Sequence, residues 1–225
     1  MTIKKGEDWG GVGLVDPATP VAESDSDLAG TFEVIRGPDG DIELVGPELV
    51  VLLPNDTEPA TPREANNGLA RTVGARGTSE QVLGQERTIL PIDLGVVTID
   101  PGSEQQQDVV VASSLVICGR FWSGVTEGAM NSAFLSDWNV TPSGHPNDGR
   151  FDVVKVELGI SDRFKAKKRL VSGAHIPHPN ISIRRLKEAE FRPPPSSQVW
   201  IDGRGYGRAA MVTLRVFPDA VSIAI

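Results

Sequence analysis

Apolar positions along this chain come in short runs broken by glycine and proline, and the runs alternate more often than they follow a helical period. The clearest is GRFDVVKVELG (149–159). There Phe151, Val153, Lys155 and Glu157 fall on one face, and Asp152, Val154, Val156 and Leu158 on the other. In ILPIDLGVVTID (89–100), Ile92, Leu94 and Val96 share a face and Asp93 points the other way. Strands are also predicted over 42–54 (one or two), 108–122, 180–191, 198–203 and 211–225. Helical pattern is confined to short pieces. Ser24 caps a helix predicted to run to Ile35, where GPDGD (37–41) stops it. NNGLARTVGARG (66–77) begins a second, and SEQVLGQERT (79–88) a third with Ser79 as cap. SDRFKAKKRLVSG (161–173) forms a basic fourth that ends at Gly173. Residues 1–23 read as an irregular arm and 55–65 as a polar loop. The stretch 128–140 reads as short-helical or irregular, with Trp138 an anchor.

Composition narrows the class. At 225 residues with 39% hydrophobic content, the chain is one large domain, or a domain with an appendage, and has enough apolar mass for a core. The 24 glycines and 17 prolines are spread widely, as in a turn-rich β domain, and no internal repeat is evident. A net charge of −8 argues against a nucleic-acid partner. Cys118, the single cysteine, lies in the apolar run VVVASSLVIC and reads as a buried thiol, so no disulfide framework is expected within the chain. The N-terminal MTIKKGEDWGG has no apolar core, and no run approaches the about 18 apolar residues a membrane helix needs. A cytoplasmic protein is expected.

Four clusters carry candidate chemistry. GHPNDGRFD (144–152) groups His145, Asn147, Asp148 and Asp152. It reads as a turn, with a small oxygen-ligand site for a hard cation as the alternative. SGAHIPHP (172–179) places His175 and His178 three apart, but the prolines bar a regular helix and no third ligand is near, so both read as structural. Arg163, Lys165, Lys167, Lys168 and Arg169 make a basic helix: a solvated face, or one drawn to an anionic lipid surface. In QVWIDGRGYG (198–207), Asp202-Gly203 between strand-like runs is a hairpin signal, and a carboxylate at the lip of a site is the competing reading. Phosphate-loop, nucleophile-elbow and HExxH patterns do not occur.

Taken in order, several fragments resemble the diacylglycerol kinase and sphingosine kinase-like lipid kinases of the NAD kinase-like superfamily. LLP (52–54), NNGLARTVG (66–74) and LPIDLGVV (90–97) resemble that family's proline-ended strand, GTGNDFARxLG and xxDLG segments. HPNDGRFDVV (145–154) looks like its DDGxLDVV, LVSGAHIPHPNISIRR (170–185) like its SGxHxxHP, and QVWIDGRGYG like its xVxxDGExxG. The resemblance implies a mainly β (α+β) fold, a two-layer β-sandwich of the lipid-kinase C-terminal type with a few short helices. It also implies that Asp202 sits where the family has its general base. Asn67 and Arg71 match a substrate- or anion-binding segment, with Arg204 beside them. Asp148 would hold a structural Mg²⁺ together with the backbone carbonyls of His145 and Arg150.

The departures matter as much. No GGDGT segment for nucleotide phosphates occurs, Gly68 stands at the aspartate of GTGND, and Arg204 stands where the family has glutamate. Phosphoryl transfer depends on a phosphate and metal clamp. The expected organisation is an arm at 1–48, a linking remnant at 49–88 and a sandwich domain at 89–225. The expected role is a ligand-binding or interaction module, for a lipid or an anionic metabolite, peripheral to the membrane through Lys165, Lys167, Lys168 and Arg169. The alternative is an active ATP-dependent lipid kinase that acts on a diacylglycerol or long-chain-base hydroxyl. Its nucleotide site would then come from a partner kinase chain or a second copy.

Overall fold

The computed structural model describes residues 9–54, 61–119 and 125–225; residues 55–60 of the predicted polar loop and the end of the predicted 108–122 strand lie outside this range. Two sheets dominate the described residues. The first runs Gly11–Leu14, Glu86–Ile99, Val212–Ala224, Leu49–Leu52, Val21–Ala22, with Gln107–Val111 added on Glu86–Ile99 and Glu188–Phe191 on Val212–Ala224. The second runs Ile181–Leu186, Phe151–Val156, Thr126–Met130, Ser114–Cys118, Gln198–Ile201, Arg204–Gly207, antiparallel throughout. The chain is therefore β-rich, with helices only as short pieces.

Side-chain alternation explains how the sheets meet. In Ser114–Cys118, Leu115 and Ile117 enter one apolar cluster with Val97, Ile99, Phe151, Val199, Ile201 and Leu214, which joins the two sheets. Val116 and Cys118 face the other way, into a smaller cluster with Met130, Leu135 and Val154. Phe151 is fully buried in the shared cluster. Gly95 makes room for it: a Cβ there would come within 2.8 Å of Leu214 and Val111 and 3.2 Å of Phe151. A third cluster packs Leu28 and Leu69 from the two small helices Asp25–Gly30 and Gly68–Val73 against Val50, Leu52, Ile92 and Ile223.

Several predicted elements shift. Ser24 does cap a helix, accepting from the Asp27 N–H, but that helix ends at Gly30, and Glu33–Arg36 pairs with Ile42–Val45 as a hairpin. The β-branched Val34 and Ile35 favour that extended state. The arm predicted at 1–23 contains two strands, Gly11–Leu14 and Val21–Ala22, each hydrogen-bonded into the first sheet. The helix predicted at 79–88 is only Ser79–Val82, after which the long strand starts at Glu86. The stretch 128–140 supplies the end of Thr126–Met130 and a tight pair, Phe134–Leu135 with Trp138–Asn139. The basic helix spans Ile160–Leu170, and Gly173 follows at φ +70.

Candidate functional site

Asp202 and Gly203 form the two-residue turn between Gln198–Ile201 and Arg204–Gly207, with φ +44 and +79, the left-handed values that such a hairpin requires. The turn tucks inward, so Asp202 is only 1% exposed. Its carboxylate accepts three backbone N–H groups, from Ala112 at 2.7 Å, Ser113 at 2.9 Å and Ser114 at 2.8 Å. Those donors favour the anion, but burial first and the nearby Asp25 second push the carboxyl up to about 7.

Asp25 is a second buried carboxyl, raised to about 6, chiefly by burial. Its oxygens accept the Leu69 N–H at 3.2 Å, at the start of the helix Gly68–Val73. The Ser113 hydroxyl lies against it and is 2.8 Å from the Ser132 hydroxyl, which reaches the Phe134 carbonyl at 3.0 Å. A side chain at position 68 would collide with the same serines: a Cβ there would lie 2.6 Å from Ser113 Oγ and 2.8 Å from Ser132 Oγ. The second acid beside Asp202 therefore comes from Asp25, on a different element from the segment around Gly68.

Asp202, Gly203 and Arg204 line an open polar cleft of about 610 Å³ together with Glu23, Ser24, Ser26, Asp27, Asn66, Thr78 and Ser79. Arg204 is exposed and sits 3.5 Å from Asp27. Arg71 points elsewhere: it pairs with Asp137 at 2.6 Å and lies 4.8 Å over the Phe134 ring. Asn67 occupies the N-cap position of the Gly68–Val73 helix, without a side-chain capping hydrogen bond, next to the cleft-lining Asn66. The structure thus brings Asp202 and Arg204 to one cleft and leaves Arg71 outside it.

The Asp148 loop is a separate arrangement. Asp148 Oδ1 accepts the Arg150 N–H at 3.1 Å, and its Oδ2 lies 3.6 Å from Arg185, which also reaches Asp152 at 3.2 Å and the Ser143 carbonyl. Beneath it the buried Asp93 accepts the Gly149 N–H at 2.6 Å and the Asp219 N–H at 2.9 Å, tying this loop to the irregularity between Phe217 and Val221. Burial, then Asp148, lifts Asp93 to about 7. The His145 ring packs on Trp9 at 4.5 Å, and burial lowers its pKa. With a guanidinium already facing Asp148, the donor set as it stands suits Arg185 better than a hard cation.

A second, larger recess lies on the outer face of the second sheet. It is a cavity of about 1130 Å³, walled by Val116, Met130, Leu135, Val154, Val156 and Ile181 and covered by the helix Ile160–Leu170. Thr61, Pro62 and Arg63 close one end of it, while Asn66 borders the polar cleft and the Glu64 carbonyl meets Gly203. The segment 61–66 is thus a thin wall between apolar cavity and polar cleft. Lys165, Lys167, Lys168 and Arg169 project from the covering helix into solvent, with Lys165 held 3.0 Å from Asp162.

Asp25, Ser113 and Arg185 were not singled out in the sequence, and Asp93 was marked only as the polar residue of an apolar strand. The signals present were faint: an acid directly after a helix cap, and an acid on the opposite face of an apolar strand.

Neither a family model nor a curated protein matches the chain. Among solved structures, one described as "a putative diacylglycerol kinase from Bacillus anthracis str. Sterne" overlays with a TM-score of 0.51 at 12% identity, covering 80% of this chain and 69% of that one. A second structure under that description gives 0.48 at 11% identity with the same coverage. At such identity the likeness shows the fold alone: the chain has a diacylglycerol kinase-like fold. No helix among the described residues is long and apolar enough to cross a membrane.

Proposed function

We propose that this chain is a diacylglycerol kinase-like binding module for an amphiphilic lipid, in which Asp202 holds a turn instead of removing a proton. The carrying observation is the separation of the two features. The roomy apolar cavity is walled by Val116, Met130, Val154 and the Ile160–Leu170 helix. Asp202 lies outside that wall, with its oxygens bound by three backbone N–H groups. Pockets of several hundred cubic ångströms with mainly apolar walls suit hydrocarbon. Among the cavity's own lining, Arg63, Glu127, Lys167 and His175 offer polar groups for a head group. In this reading the two sheets are the layers of a lipid-kinase C-terminal sandwich of NAD kinase-like ancestry, and the nucleotide half is missing.

The test is displacement of a fluorescent fatty-acyl probe by a diacylglycerol and by a long-chain base. Saturable binding is expected, weakened about ten-fold or more by Ala166→Trp, which fills the cavity from its covering helix. No binding of either lipid overturns the reading.

A second reading has its own support. Asp25 and Asp202, raised to about 6 and about 7, lie by a polar cleft, a pattern typical of acid–base sites. Under it the chain is an ATP-dependent lipid kinase whose phosphate site comes from a partner chain or second copy. Phosphate transfer to either lipid that is lost in Asp202→Asn would establish that reading and overturn the non-catalytic one. A structural Mg²⁺ on Asp148 and the carbonyls of His145 and Arg150 is a further proposal, and it requires that the ion displace the Arg185 guanidinium from Asp148. Calorimetric Mg²⁺ binding that disappears in Asp148→Asn supports it, and no heat at millimolar Mg²⁺ removes it.

A further inference from the structure

The helix Ile160–Leu170 stands out on the surface because none of its residues is buried. Ile160, Phe164 and Val171 are 77%, 67% and 61% exposed, large apolar side chains left in water. At about 100° per residue, their offsets of four and eleven positions place all three within roughly 40° of one another, a single stripe that runs past the helix end. On the same wheel Arg163 and Lys167 border one side of the stripe and Lys168 the other. Ile160, Phe164 and Lys167 also border the apolar cavity.

Charge points the same way. Between residues 150 and 192 there are 11 Lys+Arg against 5 Asp+Glu, net +6, in a chain whose formal net charge is −8. A solvated basic face needs no phenylalanine or isoleucine in its middle, and an acidic protein partner would not explain why the stripe opens onto a hydrocarbon-sized cavity. Bare apolar side chains flanked by lysines are what an interfacial helix presents to lipid.

We infer that the Ile160–Leu170 helix docks on an anionic bilayer surface. Ile160, Phe164 and Val171 enter the acyl boundary, and Lys167, Lys168 and Arg163 lie at the headgroups. The mouth of the cavity then faces the membrane. This surface is distinct from the polar cleft, and docking does not require that the cavity be filled.

Vesicle flotation tests it. At about 0.1 M salt, where the screening length is about 10 Å, phosphatidylcholine vesicles with about 30% phosphatidylglycerol are expected to bind the chain at least ten-fold more tightly than pure phosphatidylcholine. Each basic residue near such a surface contributes about five-fold, so Lys167→Gln with Lys168→Gln is expected to cost ten-fold or more. Ile160→Ser with Phe164→Ser is expected to cost a similar factor and to leave the melting temperature unchanged, because both side chains are exposed. An environment-sensitive fluorophore on Phe164→Cys is expected to shift to the blue on anionic vesicles, while the buried Cys118 stays unlabelled. Equal binding to both vesicle types overturns the inference. So does a fluorophore that stays in water on bound vesicles, or full binding by the serine double variant. Probe uptake in vesicle-free solution reads the cavity separately.

Discussion

Asp25 is a buried carboxyl pulled two ways: burial raises it to about 6, while hydrogen bonds from the Leu69 N–H and the Ser113 hydroxyl favour its anion. It is neutral in the folded chain below about pH 6 and charged above. Asn in its place keeps an acceptor for the Leu69 N–H and carries no charge. Asp25 and Asp202 both have folded pKa values raised above the unfolded 3.8, so the native chain binds more protons than the unfolded one between about pH 4 and pH 7. Their contribution to stability is therefore greatest near pH 4 and falls as pH rises to 7. Asp25→Asn removes the charge that presses on Asp202. It is expected to melt about 2–6 °C above wild type at pH 8, with the gap closing toward pH 5. A variant that melts below wild type at pH 8 would show that Asp25 is needed as an anion. None of this was legible beforehand, since SDSD at 24–27 reads as cap chemistry whichever acid turns inward.

At the scale of elements, the turn grammar was the most readable part. Asp202-Gly203 announced a two-residue hairpin, and both residues take positive φ. What the sequence hid is that the turn is buried against another segment: a Cβ on Gly203 would lie 2.5 Å from the Glu64 carbonyl. Gly40 makes a matched control, with φ +84 and nothing within 4 Å of its would-be Cβ. Gly40→Ala is expected to cost about 1 kcal/mol for the left-handed backbone alone. Gly203→Ala adds a backbone clash and is expected to cost about 2–4 kcal/mol. Urea midpoints at pH 7 measure the pair, and equal losses would mean that the 61–66 wall yields freely to Gly203. Helix lengths were the least readable feature. Glu33–Arg36 and Glu86–Ile99 claim residues whose local pattern extended the preceding helices, because pairing with Ile42–Val45 and Gly11–Leu14 outweighs weak propensity.

For the whole molecule, alternation along each strand foretold two-faced sheets but not which strands would meet. Gly11–Leu14 pairs with Glu86–Ile89, and Leu49–Val51 runs parallel to Ser222–Ala224, contacts between segments far apart in the chain. Nor does any local pattern show that one face of the second sheet is packed and the other hollow. That difference is measurable. Phe151 fills the space between the sheets, where Gly95, Leu115 and Leu214 leave no slack, so Phe151→Ala creates a cavity that cannot collapse. A loss of about 4–5 kcal/mol is expected, at the upper end for such truncations. Met130 is nearly as buried but already borders the 1130 Å³ cavity, so its side chain has fewer partners to lose. Met130→Ala is expected to cost about 2 kcal/mol, at the low end for that substitution. Because it enlarges the cavity, it is also expected to alter the affinity for the fluorescent acyl probe, which Phe151→Ala at the residual folded fraction does not. Chemical denaturation alongside probe titration separates the two faces. Equal losses with unchanged probe binding would mean that the outer face is packed in solution and the cavity is closed.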